Sequence, residues 1–398
     1  MESVPVLSPR ANLSAATLAG HAQVVALRRE LHQHPETGLE EYETAKFIEA
    51  RLNTLGIPYE RCTPTGVIGL LSCDKPGPVV MLRADTDALP ILEENDHDYV
   101  SLNPGKMHAC GHDTHTAMLL GVAGRLKQEG LAAGAVKLIF QPGEEGHHGA
   151  SKMIAAGALE NPRPVSCYGQ HVWASAPIGK IMIEDGPVMA AVDRIEITVT
   201  GKGTHAAYPQ GGVDPIFASA QIISALQSIV SRNVDPLLPA VVTIAVIHAG
   251  TAHNIIPEQV KMIGTVRVFD DATHDILRTR IREIITGVAS ALGCQAELNY
   301  IPEHDATVNA PEIAAIVREE AIAIVGKENV TADQRTMGAE DMSDFLRVVP
   351  GAYAFIGARN PEKGAIYPHH HPKFNIDEDA LAIGAELMYR VAQRLLAR

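Results

Sequence analysis

Three short runs constrain the fold of this 398-residue chain more than any other feature. Pro78 to Ala84 (PVVMLRA) is a continuous apolar run, Val136 to Gln141 (VKLIFQ) is a second, and Val165 to Val172 a third. A strand without polar alternation needs cover on both faces, as inside a largely parallel sheet. Each run empties into polar residues. Asp85-Thr86-Asp87-Ala88-Leu89-Pro90 follows the first, Pro142-Gly143-Glu144-Glu145-Gly146 the second, and Gly169-Gln170-His171-Val172-Trp173 closes the third. Helical patterns lie between them, so the class is α/β. In open α/β sheets, sites gather beyond the C-terminal ends of the strands.

Met107-His108-Ala109-Cys110-Gly111-His112-Asp113-Thr114-His115 is the densest cluster of metal-capable side chains. Cys110 and His112, two residues apart, do not share a helix face; they suit a loop or strand end. A helix is expected from Thr116 to Lys127, with Asp113 or Thr114 as N-cap. Adding Asp85, Glu144, Glu145, His171 and the run His369-His370-His371 gives a set too dispersed and oxygen-rich for a structural zinc knuckle. It suits a catalytic site with open positions, holding one or two divalent ions. Taken singly, each has an ordinary reading: solvated turn acids, a hydrogen-bonded core histidine, an exposed histidine loop. Their joint placement at equivalent strand ends favours the metal reading.

Elsewhere, Met1 to His21 reads as a loose, small and polar lead. Helices are expected over Val24–Gln33 and Glu41–Leu55, and short strands within Glu60–Cys73. A short helix is expected over Gly149–Ala156. Beyond Met189 the pattern changes. Asp193–Thr200 alternates with period two, as a strand exposed on one face does. Helix Pro215–Arg232, strands Ala240–Ala249 and Gln259–Phe269, helix Ala272–Leu292 and strand Gln295–Ile301 follow. This βαββαβ order is that of a ferredoxin-like domain. Residues 189–302 are therefore expected as an insertion into a discontinuous domain of residues 1–188 and 303–398. The α/β pattern resumes with helices Glu312–Val325 and Glu340–Val348, strand Ala352–Gly357, a loop to Asn375 and a last helix from Asp377.

A formal charge of −14 and the lack of any Lys/Arg-rich run argue against a nucleic-acid partner. No apolar run reaches membrane-spanning length. The five cysteines are odd in number and far apart, and no export signal opens the chain. Reduced thiols and a cytoplasmic location are expected.

Seven motifs, in order, carry a family resemblance: Leu27-Arg28-Arg29-Glu30-Leu31-His32 with His34-Pro35-Glu36; Leu82-Arg83-Ala84-Asp85-Thr86-Asp87-Ala88-Leu89-Pro90; His108-Ala109-Cys110-Gly111-His112-Asp113; Gln141-Pro142-Gly143-Glu144-Glu145-Gly146; Gly201-Lys202-Gly203-Thr204-His205-Ala206-Ala207; His253-Asn254-Ile255-Ile256-Pro257; and His369-His370-His371-Pro372-Lys373-Phe374. The chain resembles the M20-type metallo-aminoacylases and carboxypeptidases, in their amidohydrolase branch, over roughly residues 24–390. That branch includes hippurate hydrolases, N-acyl-amino-acid amidohydrolases and auxin-conjugate hydrolases. The resemblance implies a mixed α/β/α catalytic domain with a zinc-peptidase-like sheet, plus an inserted ferredoxin-like lid and dimerisation domain. It implies the metal ligands Cys110, His112, Glu145, His171 and His370, with His369 and His371 as competitors for the last place. Glu144 matches the general base, and His205 a histidine that reaches a partner subunit's site. Asn254 and Arg267 match substrate-binding residues, and Thr336–Met342 a loop lining the acyl pocket. Arg83-Ala84-Asp85 stands where many relatives have His-x-Asp, which removes one ligand, and the resemblance implies that Cys110 and His112 make up the deficit. A thiolate is softer than the bridging carboxylate used elsewhere, which leaves zinc, manganese, cobalt and nickel as candidate metals. Asp85 is expected to orient a ligand or the water. Asp113 is expected as a cap or supporting partner, and His108 and His115 in local structural roles.

The implied activity is hydrolysis of the amide bond of an N-acyl or N-aroyl amino acid by a homodimer or higher homo-oligomer, giving a carboxylic acid and a free amino acid. The alternatives are a carboxypeptidase or dipeptidase acting on short peptides, and a catalytically idle relative that binds such ligands.

Overall fold

A computed structural model describes residues 11–332 and 334–398 of the chain. The chain forms two units. The first gathers residues up to Gly186, Val308–Arg335 and Asp341–Arg398; the second is Pro187–Thr307 with Thr336–Glu340.

The first unit is built on an eight-stranded mixed sheet in the order Tyr59–Arg61, Val67–Ser72, Ala135–Gln141, Val79–Asp85, Ser166–Pro177, Gly351–Arg359, Ile181–Met182, Val330–Thr331. The four central strands, Ala135–Gln141 to Gly351–Arg359, run parallel. Every residue of Ala135–Gln141 is buried, as is all of Val79–Asp85 beyond Val79. This is the two-sided cover that their apolar runs demand. Successive strand residues face opposite ways. Accordingly Gly169 lies against Tyr353 and Met342, while its neighbour Gln170 reaches Met118 in the helix His112–Glu129. Helices Ala15–Gln33, His112–Glu129 and Asp379–Leu396 pack on one another over the Gln170 face. The shorter Gly149–Ala155 and Met342–Val348 pair with each other on the Gly169 side.

Two helix starts differ from the sequence reading by four residues or more. The first helix begins at Ala15, within the stretch expected to be a loose lead, whose first ten residues lie outside the described ones. Ser14 caps it by accepting from the Thr17 N–H. Ser14 and Thr17 hydroxyls then donate to Glu386 at 2.7 and 2.5 Å, and Arg125 joins at 2.8 Å. This turn is held by buried polar contacts, so it carries no apolar periodicity to read. The helix after the Cys110 loop begins at His112, not Thr116, and neither Asp113 nor Thr114 caps it. Gly111 takes that place at φ 96°, where a Cβ would lie 2.6 Å from Val172 Cγ2. Asp113 sits in the first turn instead, paired with Arg28 at 2.9 Å.

The second unit has a four-stranded antiparallel sheet, ordered Ala240–Ala249, Gln259–Val268, Ala191–Thr200, Gln295–His304. Burial alternates along Gln259–Val268, as period-two strands require. Helices Pro215–Arg232 and Asp271–Ala291 pack against this sheet, with Ile222, Leu226, Leu277 and Ile281 in the core. Each helix has an aspartate cap: Asp214 accepts from Ile216 and Phe217, and Asp270 from Thr273. The result is the expected βαββαβ order.

Candidate metal centre

The C-terminal ends of the parallel strands bring the metal-capable residues together. Val79–Asp85 leads into Asp87; Ala135–Gln141 leads into Glu144 and Glu145; Cys110 and His112 flank the glycine that starts their helix. His171 differs from expectation. It lies inside a strand that continues to Pro177, because the parallel Gly351–Arg359 strand pairs along it, with Phe355 opposite His171.

Ligand atoms of Cys110, His112 and His171 lie within 4.8 Å of one another, as do those of Cys110, Glu145 and His370, and those of His112, Glu144 and Glu145. Cys110 Sγ is 3.5 Å from His171 Nε2, and His370 Nε2 is 3.1 Å from Glu145 Oε1. His112 Nε2 is 4.0 Å from Glu144 Oε2.

The three adjacent histidines have separate environments. His370 adopts φ 65° and its N–H donates to the Ala109 carbonyl at 2.8 Å, which turns its ring to Glu145. His369 Nε2 accepts the Ala174 N–H at 3.1 Å, and burial pushes its pKa down to about 3. His371 Nδ1 accepts the Lys373 N–H while its ring stacks on Tyr367.

Supporting contacts aim the rings. His112 Nδ1 is 3.1 Å from Asp87 Oδ1, and Asp87 Oδ2 accepts the Glu145 N–H at 2.9 Å. His112 Nε2 is then left buried without a hydrogen-bond partner. His171 Nδ1 donates to the Val172 carbonyl at 2.5 Å, leaving Nε2 toward Cys110. A carboxylate or carbonyl behind each imidazole is the usual support of a metal-binding histidine. Burial, then the nearby Glu145 charge, raises the Cys110 thiol well above its ordinary pKa. A divalent cation would supply the positive charge a thiolate needs there. Mixed S, N and O donors, with an orphaned imidazole nitrogen aimed among them, fit such an ion.

Asp85 is committed elsewhere. Its carboxylate holds Arg83 at 2.7 Å and His115 Nδ1 at 2.5 Å. His115 Nε2 in turn accepts the N–H of Val172, next to His171. Asp85 is thus linked through His115 to the backbone that carries His171. Arg83 also reaches Gln141 and Asp341 at 2.8 and 2.9 Å. Asp341 accepts from Gln141 and from the Ala150 N–H, the two ends of the turn that carries Glu144 and Glu145. Sequence reasoning missed Asp87 as a partner of His112. Its signal was its place two residues after Asp85.

His205, Asn254 and Arg267 belong to the second unit. A two-stranded ladder pairs His205 with Ile255, and the Asn254 carbonyl accepts the Ala206 N–H, so the first two are neighbours. His205 is exposed, and its Nδ1 accepts the Ala207 N–H. Arg267 stands on the Gln259–Val268 strand, donating to Thr265 Oγ1 and to the Met337 carbonyl. Met342, at the end of the expected acyl-pocket segment, is fully buried.

The sequence profile of peptidase family M20/M25/M40 matches residues 81–394. Thermostable carboxypeptidase 2 of Saccharolobus solfataricus is 42% identical over 369 residues, spanning 91% of this chain and 92% of that protein. N-acetylcysteine deacetylase of Bacillus subtilis is 39% identical over 383 residues, spanning 95% and 98%. The crystal structure of the Bacillus subtilis YXEP protein, a dinuclear metal-binding peptidase of the M20 family, superimposes with a TM-score of 0.84. It is 34% identical over 95% of this chain and 99% of that one. With the donor cluster in place and likeness along nearly the whole chain, the protein belongs to peptidase family M20/M25/M40, as a metal-dependent hydrolase of amide bonds.

Proposed function

We propose that the substrate is an N-acyl or N-aroyl amino acid, cleaved to a carboxylic acid and a free amino acid. The observation that carries this reading is the convergence of Cys110, His112, Glu145, His171 and His370, with Glu144 beside them. These five residues would hold one or two divalent ions, zinc, manganese, cobalt or nickel. When bound, such ions supply Lewis acidity that polarises a carbonyl and makes water a nucleophile near neutral pH. Glu144, adjacent to ligand Glu145, takes the proton from the attacking water and delivers it to the departing nitrogen. The new C–O bond forms as the C–N bond breaks, and the amine leaves protonated.

Residues 1–188 and 303–398 serve as the catalytic domain in this reading, and residues 189–302 as a lid and dimerisation domain. His205 polarises the scissile carbonyl in the partner subunit's site. Asn254 holds the amide, and Arg267 uses its planar fork on the free carboxylate. Association as a homodimer is supported by the sheet-edge strand Ala240–Ala249, which exposes Val246 and Ile247. A cytoplasmic location is supported by five free cysteines, and no described helix is long and apolar enough to cross a membrane. The 42% identity to a carboxypeptidase supports a second reading, in which short peptides are the substrates.

Metal-loaded protein should be assayed with hippurate, N-acetyl amino acids and dipeptides. Turnover of acyl amino acids above dipeptides is expected; the reverse preference selects the peptidase reading. Glu144→Gln should keep its metal and lose about 10²–10⁴-fold in kcat. A variant that retains activity removes Glu144 from the role of base.

A further inference from the structure

Beside the Cys110 centre, but sharing no side chain with it, lies another group of metal-capable residues. His32 comes from the helix Ala15–Gln33; Glu93 and His97 come from the connection that follows the Val79–Asp85 strand. His32 Nε2 is 3.2 Å from Glu93 Oε1, His97 Nε2 is 3.3 Å from the same oxygen, and all three atoms lie within 4.8 Å of one another. A tetrahedral zinc ion with bonds of about 2.0–2.2 Å sets its ligand atoms about 3.3–3.6 Å apart. The two separations to Glu93 Oε1 are near that value, and so are the 3.1 and 3.5 Å separations within the Cys110 centre.

The orientations agree with the spacing. Both ring nitrogens of His97 are buried without a hydrogen bond of normal geometry, and Nε2 faces Glu93 at ion-pair distance. His32 Nδ1 faces Asp113 Oδ2 at 2.8 Å, which gives the carboxylate–imidazole support of a metal-binding histidine. Asp113 is itself held by Arg28 at 2.9 Å. Glu93 is fixed from behind, its Oε2 accepting the Ser101 N–H at 2.7 Å, while Asn95 donates to Oε1 at 2.9 Å. The His108 ring, fully buried with both nitrogens unpartnered, lies 6.3 Å from the His32 ring, centre to centre.

We propose that His32, Glu93 and His97 form a second, structural site for a divalent transition ion such as Zn²⁺. Two imidazoles and one carboxylate are a donor set that suits this class of ion. A bound ion would cross-link the irregular connection of residues 86–111, which ends in the Cys110 loop, to the first helix. The competing occupant is a proton, with His32 as an imidazolium between Asp113 and Glu93.

Metal counting on the full-length protein separates the two. Wild type and His97→Ala are loaded with Zn²⁺, dialysed and assayed for zinc per chain by mass spectrometry, with amide hydrolysis measured in parallel. His97→Ala should hold one zinc fewer and hydrolyse substrate as wild type does. Equal zinc in the two proteins overturns the proposal. In a Cys110→Ala/His370→Ala background one zinc per chain should remain, and adding His97→Ala should remove it. A measurement on wild type alone avoids any effect of substitution on folding. Zinc-edge anomalous maps of zinc-grown crystals should show a peak bounded by His32 Nε2, Glu93 Oε1 and His97 Nε2. A map with the Cys110 centre filled and no peak there also overturns it. Because hydrolysis reports on the Cys110 centre and the difference in zinc count between wild type and His97→Ala on this one, failure of either reading is recognised separately.

Discussion

Asp87→Asn removes one charge while keeping the side chain's shape. Asp87 is 1% exposed and both carboxylate oxygens are engaged, one on His112 Nδ1 at 3.1 Å and one on the Glu145 N–H at 2.9 Å. An asparagine has one oxygen to offer. If it faces His112, the new NH₂ meets the Glu145 N–H and two buried donors oppose each other. If it faces Glu145, the NH₂ meets His112 Nδ1 and drives the ring proton to Nε2, the nitrogen left open toward Cys110 and Glu144. Either outcome forfeits one buried hydrogen bond to a charged group, about 1.5–3 kcal/mol. At 1.4 kcal/mol per decade this predicts roughly 10–100-fold weaker metal binding, the range seen for lost ligand supports. Competition against a chromophoric chelator measures it, and the curve of activity against free metal should move to higher concentration. Unchanged affinity in a folded variant would refute the claim that Asp87 aims His112.

Two further perturbations test the same region. Glu41, whose Oε1 accepts the Gly143 N–H at 2.8 Å, has its pKa raised from 4.5 to about 7 by burial and then by the Asp87 charge. Its carboxyl keeps a proton in the fold that the unfolded chain has lost, so its contribution to stability falls as pH rises from 4.5 through about 7 and is flat above. Glu41→Gln should therefore add up to about 3 kcal/mol at pH 8 and little near pH 4.5, read by urea unfolding at both pH values; an equal gain at both contradicts the assignment. Gly111→Ala puts a Cβ 2.6 Å from Val172 Cγ2 at φ 96°. Left-handed strain and overpacking together should cost about 2–4 kcal/mol in metal-free unfolding, and a neutral effect would mean that the turn relaxes freely.

The strands that shape the site were legible because burial on both faces leaves an unbroken apolar run, as in Val79–Asp85. The long helices of the second unit were read to within one residue at each end, and the aspartates that cap them stand directly before them. Contacts between distant parts of the chain were not legible. The first helix starts early because Ser14 and Thr17 bond Glu386, which lies more than 360 residues away. His171 sits inside its strand because a partner strand near residue 355 extends the ladder. The donor residues around Cys110 could be collected from strand ends and family motifs, yet the support behind them could not. Asp87 and His115 act through hydrogen bonds whose partners only the folded chain brings near. His32, Glu93 and His97 carry no spacing rule, since a helix and an irregular connection contribute them separately.

The run His369-His370-His371 has a consequence of its own. Chemically the three side chains are interchangeable, so composition does not select the one that meets Glu145. The selection is made by main-chain atoms: a left-handed residue at His370 and an N–H bonded to the Ala109 carbonyl. Donor identity at this point is thus a matter of frame, like the reading frame of a message. Exchanging His369 or His371 for another residue leaves the frame intact, whereas inserting or deleting one residue before Pro372 would present a different imidazole without changing the chemistry on offer. A local tract of identical side chains can therefore buffer the centre against slippage.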